Sequence, residues 1–429
     1  MNSVINRRHF LRWPAAILAA PAAMAQDQTD PSTPIAPRAA MQGKLATRTE
    51  IVSHRGEPAM VTLSSRQAMQ GAIDYYREIV ANGGWPSVPR GKLEPKVRAA
   101  RVVALRQRMA AEGYLDPATL DGPDADLFDA RMASAVRAFQ RNHGIATTGI
   151  IGDRTRFELN ITARARLHTL EVNLPRVAEY LTGLGPRNIL VNIPSAQLES
   201  VEFGRVFARH NVVVGKLDRP TPTLKSKVTT VNFNPYWTAP ASIVEKDIVP
   251  KYLKDPTYLR QMNIRIFDGL GGPEIDPATV DWMNTAPDRY VFRQEPGEHN
   301  ALATVKINFH NKYSVYMHDT PHRELFGANA RYESSGCVRV DQVKTLVNWI
   351  IGDDGGYDEA SFDMITASQE PYELPVKSAP DVRFMYLTAW VTDDGRVNFR
   401  PDIYQLDNTG FVLGQPAPAE TEPPPPPAH

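Results

Sequence analysis

The sequence predicts an α+β protein with a helical N-terminal part, a mostly-β C-terminal part and a helical insertion within the latter. Three observations predict it. Apolar residues recur at helical spacing from Ser65 to Leu184, and from Arg187 they alternate at period two. Between Thr238 and about Asn300 the alternation lapses into helix and Gly-rich turns. A length of 429 residues suggests two or three domains. Lys+Arg and Asp+Glu each number 48, which gives no case for a nucleic-acid partner.

Taken in order, Arg7-Arg8 with Phe10-Leu11 forms a twin-arginine pattern. It is followed by the apolar run Trp13 to Ala23 and an A-x-A site at Ala23-Met24-Ala25. Residues 1–25 therefore read as an export signal, too short to span a membrane. Its removal takes away Arg7, Arg8 and Arg12 and no acid, leaving a near-neutral, soluble mature chain with no membrane span. Residues 26–47, rich in Pro, Ala, Thr and Gln, are expected to be a disordered tether, and the Pro-rich residues 411–429 a disordered tail.

Order is predicted to begin with a helix over Ser65–Ala81, its stripe being Met69, Ile73, Tyr76 and Val80, closed by Asn82-Gly83-Gly84. It belongs to a scaffold spanning 48–95. From 96 to 160 a compact helical unit is expected, with Val102, Leu105 and Met109 on one helix and Met132, Val136 and Phe139 on another. A further helix, interrupted near Pro175, occupies 161–186 and pairs with the first. The strand region of 187–410 follows. It opens with Asn188–Pro194, then a hairpin turning at Arg209-His210, then Val228–Phe233 and Val305–Phe309. Val382 to Val391 is strand again, and Asp393-Asp394-Gly395 turns into Val397–Phe399.

The chemistry is concentrated between Met317 and Val340. Tyr316 and His318 share one face of a strand that Pro321 stops, while Val315 and Met317 take the other. Ser334-Ser335-Gly336 is a tight turn delivering Cys337, and a helix follows with Val343, Leu346, Val347 and Ile350 as its stripe and Asp341 as N-cap. A thiol on a turn facing an imidazole at a strand end is how a cysteine nucleophile and its base are presented. A lone cysteine is equally often a small buried hydrophobe. Cys337 is the only cysteine, so no internal disulfide can form, and an unpaired thiol in an exported chain points to reactivity.

The pattern H-x-T-P…S-x-G-C-V-R, from His318 to Arg339, resembles the signature of YkuD-type L,D-transpeptidases. The longer match, including Leu325-Phe326 and Val340, looks like the large YcbB-type branch, in which serine commonly stands where Ser335 does. The phrase G-G-W-P-x-V-P at 83–89 and N-P-Y-W at 234–237 resemble the same branch. The string A-V-x-x-F-Q-x-x-x-G-I-x-x-x-G-x-x-G-x-x-T, from Ala135 to Thr155, is similar to the peptidoglycan-binding domain type 1, a small three-helix module.

The resemblance implies a mostly-β YkuD-type domain over 187–410, its insertion at about 238–300 capping the substrate cleft. Cys337 would be the nucleophile and His318 the general acid/base. The backbone at Gly336, with Ser335 and Cys337, would stabilise the oxyanion. Arg339, Ser335, Tyr316 and Thr320 would contact substrate, Arg339 through a carboxylate or else as a structural ion pair. No third side chain orienting His318 can be named.

The implied reaction cuts meso-diaminopimelate–D-alanine in a peptidoglycan tetrapeptide stem, through a thioester, and passes the acyl group to an amine of a second stem. With water the enzyme would be a carboxypeptidase; attachment of a wall protein is a further alternative. Stem peptides and glycan strands are the implied partners, carbapenems the implied inhibitors, and the periplasm the implied location. Two rivals stand beside it. A zinc hydrolase would use His318, His322 and Cys337, but Pro321 inside H-x-x-x-H argues against the helix such spacing needs, so no metal or cofactor is expected. A non-catalytic wall-binding protein would leave Cys337 inert.

Overall fold

A computed structural model describes residues 55–282, 284–352 and 357–408. The export signal, tether and Pro-rich tail expected from the sequence lie outside the described residues.

The chain opens with α1, Ser65–Ala81, where Met69, Ala72, Ile73 and Tyr76 are buried on one stripe. Then come α2 (Ala100–Ala111), α3 (Ala130–Asn142) and α4 (Asp153–Leu159). The carboxylate of Asp129 caps α3 by accepting the Met132 N–H. These three helices bury a core of their own, including Val102, Leu105, Met109, Val136, Phe139 and Leu159. Helix α5, Ala163–Leu181, runs unbroken through Pro175, contrary to the interruption expected there. A proline removes one ladder hydrogen bond. Here that loss is offset by burial of Leu170, Val177 and Tyr180 in one core with Met69, Ile73 and Tyr76 of α1.

Strands β1 (Arg187–Asn192), β2 (Gln197–Glu202), β3 (Arg205–Gly215) and β4 (Leu224–Phe233) begin the sheet. The β2–β3 hairpin turns at Phe203-Gly204, both left-handed, and not at Arg209-His210 as the sequence suggested. Those two lie inside β3, opposite Glu199 and Leu198. A two-residue turn with positive φ at both positions matches the twist of antiparallel strands, and Gly204 was its cue.

After β5 (Trp237–Thr238), a helical run, α6 (Ala241–Ile243), a π-turn over Val244–Ile248 and α7 (Val249–Lys254), leads to α8 (Tyr258–Gln261). Strands β6 (Ile264–Phe267) and β7 (Val291–Gln294) join β5 in a small separate sheet over the insertion's own core. The main sheet resumes with β8 (Val305–Phe309), β9 (Met317–His318), β10 (Tyr332–Ser334) and β11 (Val338–Val340). Helices α9 (Val343–Ile351) and α10 (Glu359–Ser368) precede β12 (Tyr372–Pro375), β13 (Asp381–Met385) and the hairpin β14–β15 (Ala389–Val391, Val397–Phe399). The N-cap of α9 is Gln342, in the left-handed region, while Asp341 accepts the Gln342 N–H.

The strand order β10-β3-β11-β9-β8-β4-β13-β1-β2, with β2 also paired to β3, closes the sheet on itself. Its interior and the helices α1, α5, α9 and α10 share one apolar core. The consequence for function lies at the junction of β8, β9 and β11. There β9 and β11 run parallel, so two segments far apart in sequence end side by side.

Candidate active site

Five strands lay a polar row across the outer face of the sheet. Glu373 faces Asn232, Asn232 faces Lys306, Lys306 faces His318, and His318 faces Arg339. Directly opposed residues share a face. The row beneath is Leu374, Val231, Ile307, Met317 and Val338, of which the last four are fully buried in the core.

Cys337 enters just before β11 and Tyr316 just before β9. The Val338 N–H donates to the Tyr316 carbonyl at 3.0 Å, setting Cys337 beside Tyr316 and diagonally across from His318. Tyr316 pulls the Cys337 thiol down against burial, and the Trp237 indole acts on the Tyr316 phenol. Lys306 Nζ lies 4.5 Å from the Tyr316 ring centroid.

His318 is buried, and its Nδ1 donates to the Asp319 carbonyl at 2.5 Å. That bond fixes the tautomer and leaves the Nε2 lone pair for a proton. The orienting group is thus a backbone carbonyl, which no sequence motif could name. Burial, then the positive charge of Arg339, lowers the His318 pKa to about 3. Burial raises Cys337 against the opposing pull of Tyr316, Lys306 and Arg339. The resting pair is therefore a neutral imidazole and a neutral thiol.

The turn before Cys337 is held from within. Ser334 Oγ donates to the Cys337 carbonyl at 2.6 Å and accepts the Gly336 N–H at 3.1 Å. Thr221 Oγ donates to the Gly336 carbonyl at 2.8 Å and accepts the Gly215 N–H at the same distance. Gly336 has φ +114°, while a Cβ there would meet only ordinary contacts at 3.6 Å or more. The backbone angle, not crowding, demands glycine.

Two of the expected site residues are engaged within the protein. The Gly336 N–H is already committed to Ser334, so it is not a free oxyanion donor. Thr320 is buried, and its hydroxyl accepts the His322 N–H in the turn after β9. Of the other expected contacts, Ser335 is exposed and accepts from Arg219 at 3.0 Å, and Arg219 is also paired at 2.5 Å with Asp247 of the insertion. Arg339 is half-buried beside Cys337 and makes no salt bridge or hydrogen bond among the described residues.

Sequence reasoning missed Lys306, Trp237, Ser334 and Thr221. Alternation put Lys306 on the polar side of its strand, but only the register sets it opposite His318. Asp319 is the variable position of H-x-T-P. It is buried and accepts from Thr304 Oγ at 2.6 Å and from Arg323 at 3.3 Å, fixing the end of β9. An open cleft beside the row has two limbs that share Lys306 and Tyr236, and neither limb is lined by Cys337 or His318. One is lined by Asn232, Tyr236, Lys306, Tyr372 and Glu373, and the other by Trp237, Leu302, Asn308, Val315 and Tyr316.

Residues 186–356 match the family described as the YkuD L,D-transpeptidase catalytic domain, and residues 98–157 match "Putative peptidoglycan binding domain". A "Putative L,D-transpeptidase" of Haemophilus influenzae (strain ATCC 51907 / DSM 11121 / KW20 / Rd) is 35% identical over 253 residues, 58% of this chain and 49% of that protein. The chain thus spans about half the length of the curated relative it matches. Among solved structures, an L,D-transpeptidase (Yku) from Stackebrandtia nassauensis is 13% identical over 70% of this chain and 96% of that one, with a TM-score of 0.25. An L,D-transpeptidase from Mycobacterium smegmatis is 12% identical over 47% and 58%, with a TM-score of 0.24.

Proposed function

With a YkuD-type L,D-transpeptidase catalytic domain at 186–356 and a peptidoglycan-binding domain at 98–157 as the premise, we propose that this protein is a cysteine L,D-transpeptidase acting on peptidoglycan stem peptides. The donor is a tetrapeptide stem. As Cys337 Sγ attacks the carbonyl at the L-centre of meso-diaminopimelate, His318 Nε2 takes the thiol proton. The N–H groups of Ser335 and Cys337 receive the oxyanion. Collapse breaks the C–N bond to D-alanine, which leaves with the proton held by His318, and a thioester remains. An amine of a second stem then attacks, His318 accepts its proton and returns it to sulfur, and a 3-3 cross-link results. Arg339, without an internal ion pair, holds a substrate carboxylate.

The observation that carries this reading is the locked His318 tautomer lying diagonal to the only cysteine, on the face where the cleft runs. We assign residues 187–410 to catalysis with 238–300 as its cap, 48–95 and 161–186 to a scaffold, and 96–160 to wall binding. The protein works outside the cytoplasm, in the periplasm, delivered by its twin-arginine signal, and carbapenems acylate Cys337.

Mass spectrometry of the protein with purified disaccharide-tetrapeptide, beside Cys337→Ala, tests the reading. Two stems joined with loss of one D-alanine, absent in the variant, is the expected result. Loss of D-alanine without joined stems would make the enzyme a carboxypeptidase. No change in either sample, together with no carbapenem adduct, would leave a wall-binding protein.

A further inference from the structure

One limb of the cleft runs from Lys306 to an acid. Lys306 on β8 and Glu373 on β12 point to the same side of the sheet with Asn232 of β4 between them. They line one cavity with Tyr236 and Tyr372. Their charges are opposite, yet they form no salt bridge with each other, and neither has another ion-pair partner among the described residues. Asn232 Nδ2 donates to Glu373 at 2.7 Å and so aims the carboxylate, while the Tyr316 ring braces the Lys306 ammonium at 4.5 Å. Asn308 in turn donates to Asn232, so the amide between the two charges is itself fixed.

The spacing says what would fit. Strands lie about 4.8 Å apart, so two spacings separate Lys306 from Glu373 by roughly 9.6 Å of sheet. A carboxylate and an ammonium on one carbon have their outer atoms about 3 Å apart. Adding a charge-assisted hydrogen bond of about 2.8 Å at each end gives roughly 8.6 Å. We propose that Lys306 and Glu373 form a clamp for a zwitterionic α-amino-acid head, Lys306 taking its carboxylate and Glu373 its ammonium. A mono-charged side chain would satisfy only one of them and leave the other unpaired.

This rests on the stem-peptide reading above and adds the group that is recognised. A 2,6-diamino diacid attacked at one centre carries such a head at the other, on an arm of about 5 Å. Tyr316 lies beside both Cys337 and the Lys306 ammonium, so Lys306 presents its charge on the side of the clamp nearer the thiol. The clamp therefore selects donors whose distal amine and carboxyl are both free.

The test is calorimetric binding of three tetrapeptide stems to full-length Cys337→Ala protein: one with a free distal head, one with that carboxyl amidated, one with that amine acetylated. The free stem should bind about tenfold tighter than either blocked stem, the size expected of one charge-assisted bond. Adding Lys306→Gln should abolish discrimination against the amidated stem alone. Glu373→Gln should abolish discrimination against the acetylated stem alone. Ratios between stems cancel any general effect of either substitution on the thiol or the fold. Equal binding of all three stems, or loss of both discriminations in each variant, would overturn the clamp. D-alanine release by the unsubstituted enzyme separates the two failures. Release from all three stems alike sinks the clamp alone, and a stem that neither binds nor releases D-alanine sinks the substrate reading with it.

Discussion

At the scale of the residue, the neutrality of the His318–Cys337 pair governs how the thiol can react. Had the two formed a thiolate and imidazolium, alkylation would proceed at full rate from near pH 5. Burial lowers His318 to about 3 and raises Cys337, so at neutral pH neither is ionised. The rate of Cys337 alkylation by iodoacetamide should therefore rise only above the ordinary thiol range of about 8.5. A plateau between pH 5 and 8, followed by mass spectrometry, would contradict the neutral pair. Tyr316→Phe removes the phenol that pulls the Cys337 thiol down against burial. A hydrogen bond to a charged group contributes about 1.5–3 kcal/mol, so this variant should push the onset of alkylation to higher pH and slow acylation by a stem about 10- to 100-fold. Unchanged onset would show that Tyr316 only packs. Cys337 and His318 could be nominated from the sequence because one motif carries both. Lys306 and Trp237 were not, because they join the site through a register and a long loop.

At the scale of the element, the turn delivering Cys337 depends on one backbone angle and two hydroxyls. Gly336→Ala meets no severe contact, yet alanine at φ +114° is strained. Strain of this kind costs on the order of 1–3 kcal/mol. The variant should lose about that much in urea unfolding and shift the Cys337 N–H from its position, lowering acylation more than stem binding. A Gly336→Ala enzyme with unimpaired acylation would mean that the turn does not set the nucleophile. Helices α1, α2, α3, α5 and α9 and the strands β4, β8 and β9 could be read from periodicity, since a buried stripe or a buried alternate face is a local property, whereas α4 and α10 were not read. The hairpin was misplaced because Arg209-His210 looks polar in sequence. In the fold Arg209 pairs with the buried Glu199 at 2.6 Å, and His210 Nδ1 donates to the Asp341 carbonyl, so β3 continues through both. Polar residues whose partners lie on another strand mimic a turn. The same limit applied to Pro175, where packing against α1 outweighed a local rule.

At the scale of the whole molecule, the helical unit that matches the putative peptidoglycan binding domain is bound into the structure rather than held by a tether alone. Arg400, beside β15, donates to the Asn142 carbonyl at 2.8 Å, and His143 stacks between Phe139 of its own helix and Phe399 of β15. Tyr76 of α1 donates to Glu112 at 2.8 Å, and Glu112 also pairs with the fully buried Arg108 at 2.7 Å. This junction makes stability depend on acid. His143, His210 and His318 are all buried, each with Nδ1 against a backbone carbonyl. All three have lowered pKa values, first by burial: His210 to about 4, His318 to about 3, and His143 further pressed by Arg166, Arg108 and Arg400. In the unfolded chain they titrate near 6.5. Between that value and their folded values the unfolded state binds more protons, so stability rises with pH. Their contribution is complete above pH 6.5 and is lost as pH falls towards 4. Asp341 and Asp407, raised by burial, act in the opposite sense closer to their own range. Each buried histidine can contribute at most about 1.4 kcal/mol per pH unit, so urea unfolding from pH 6.5 to 4.5 should show a steep loss approaching three protons. His143→Gln should flatten the slope by about one proton whatever it does to stability at pH 7.5, because it removes only one titrating group. A slope unchanged by this variant would mean that the helical unit opens from the sheet before the main core unfolds, so that His143 is already in water when the main transition is measured.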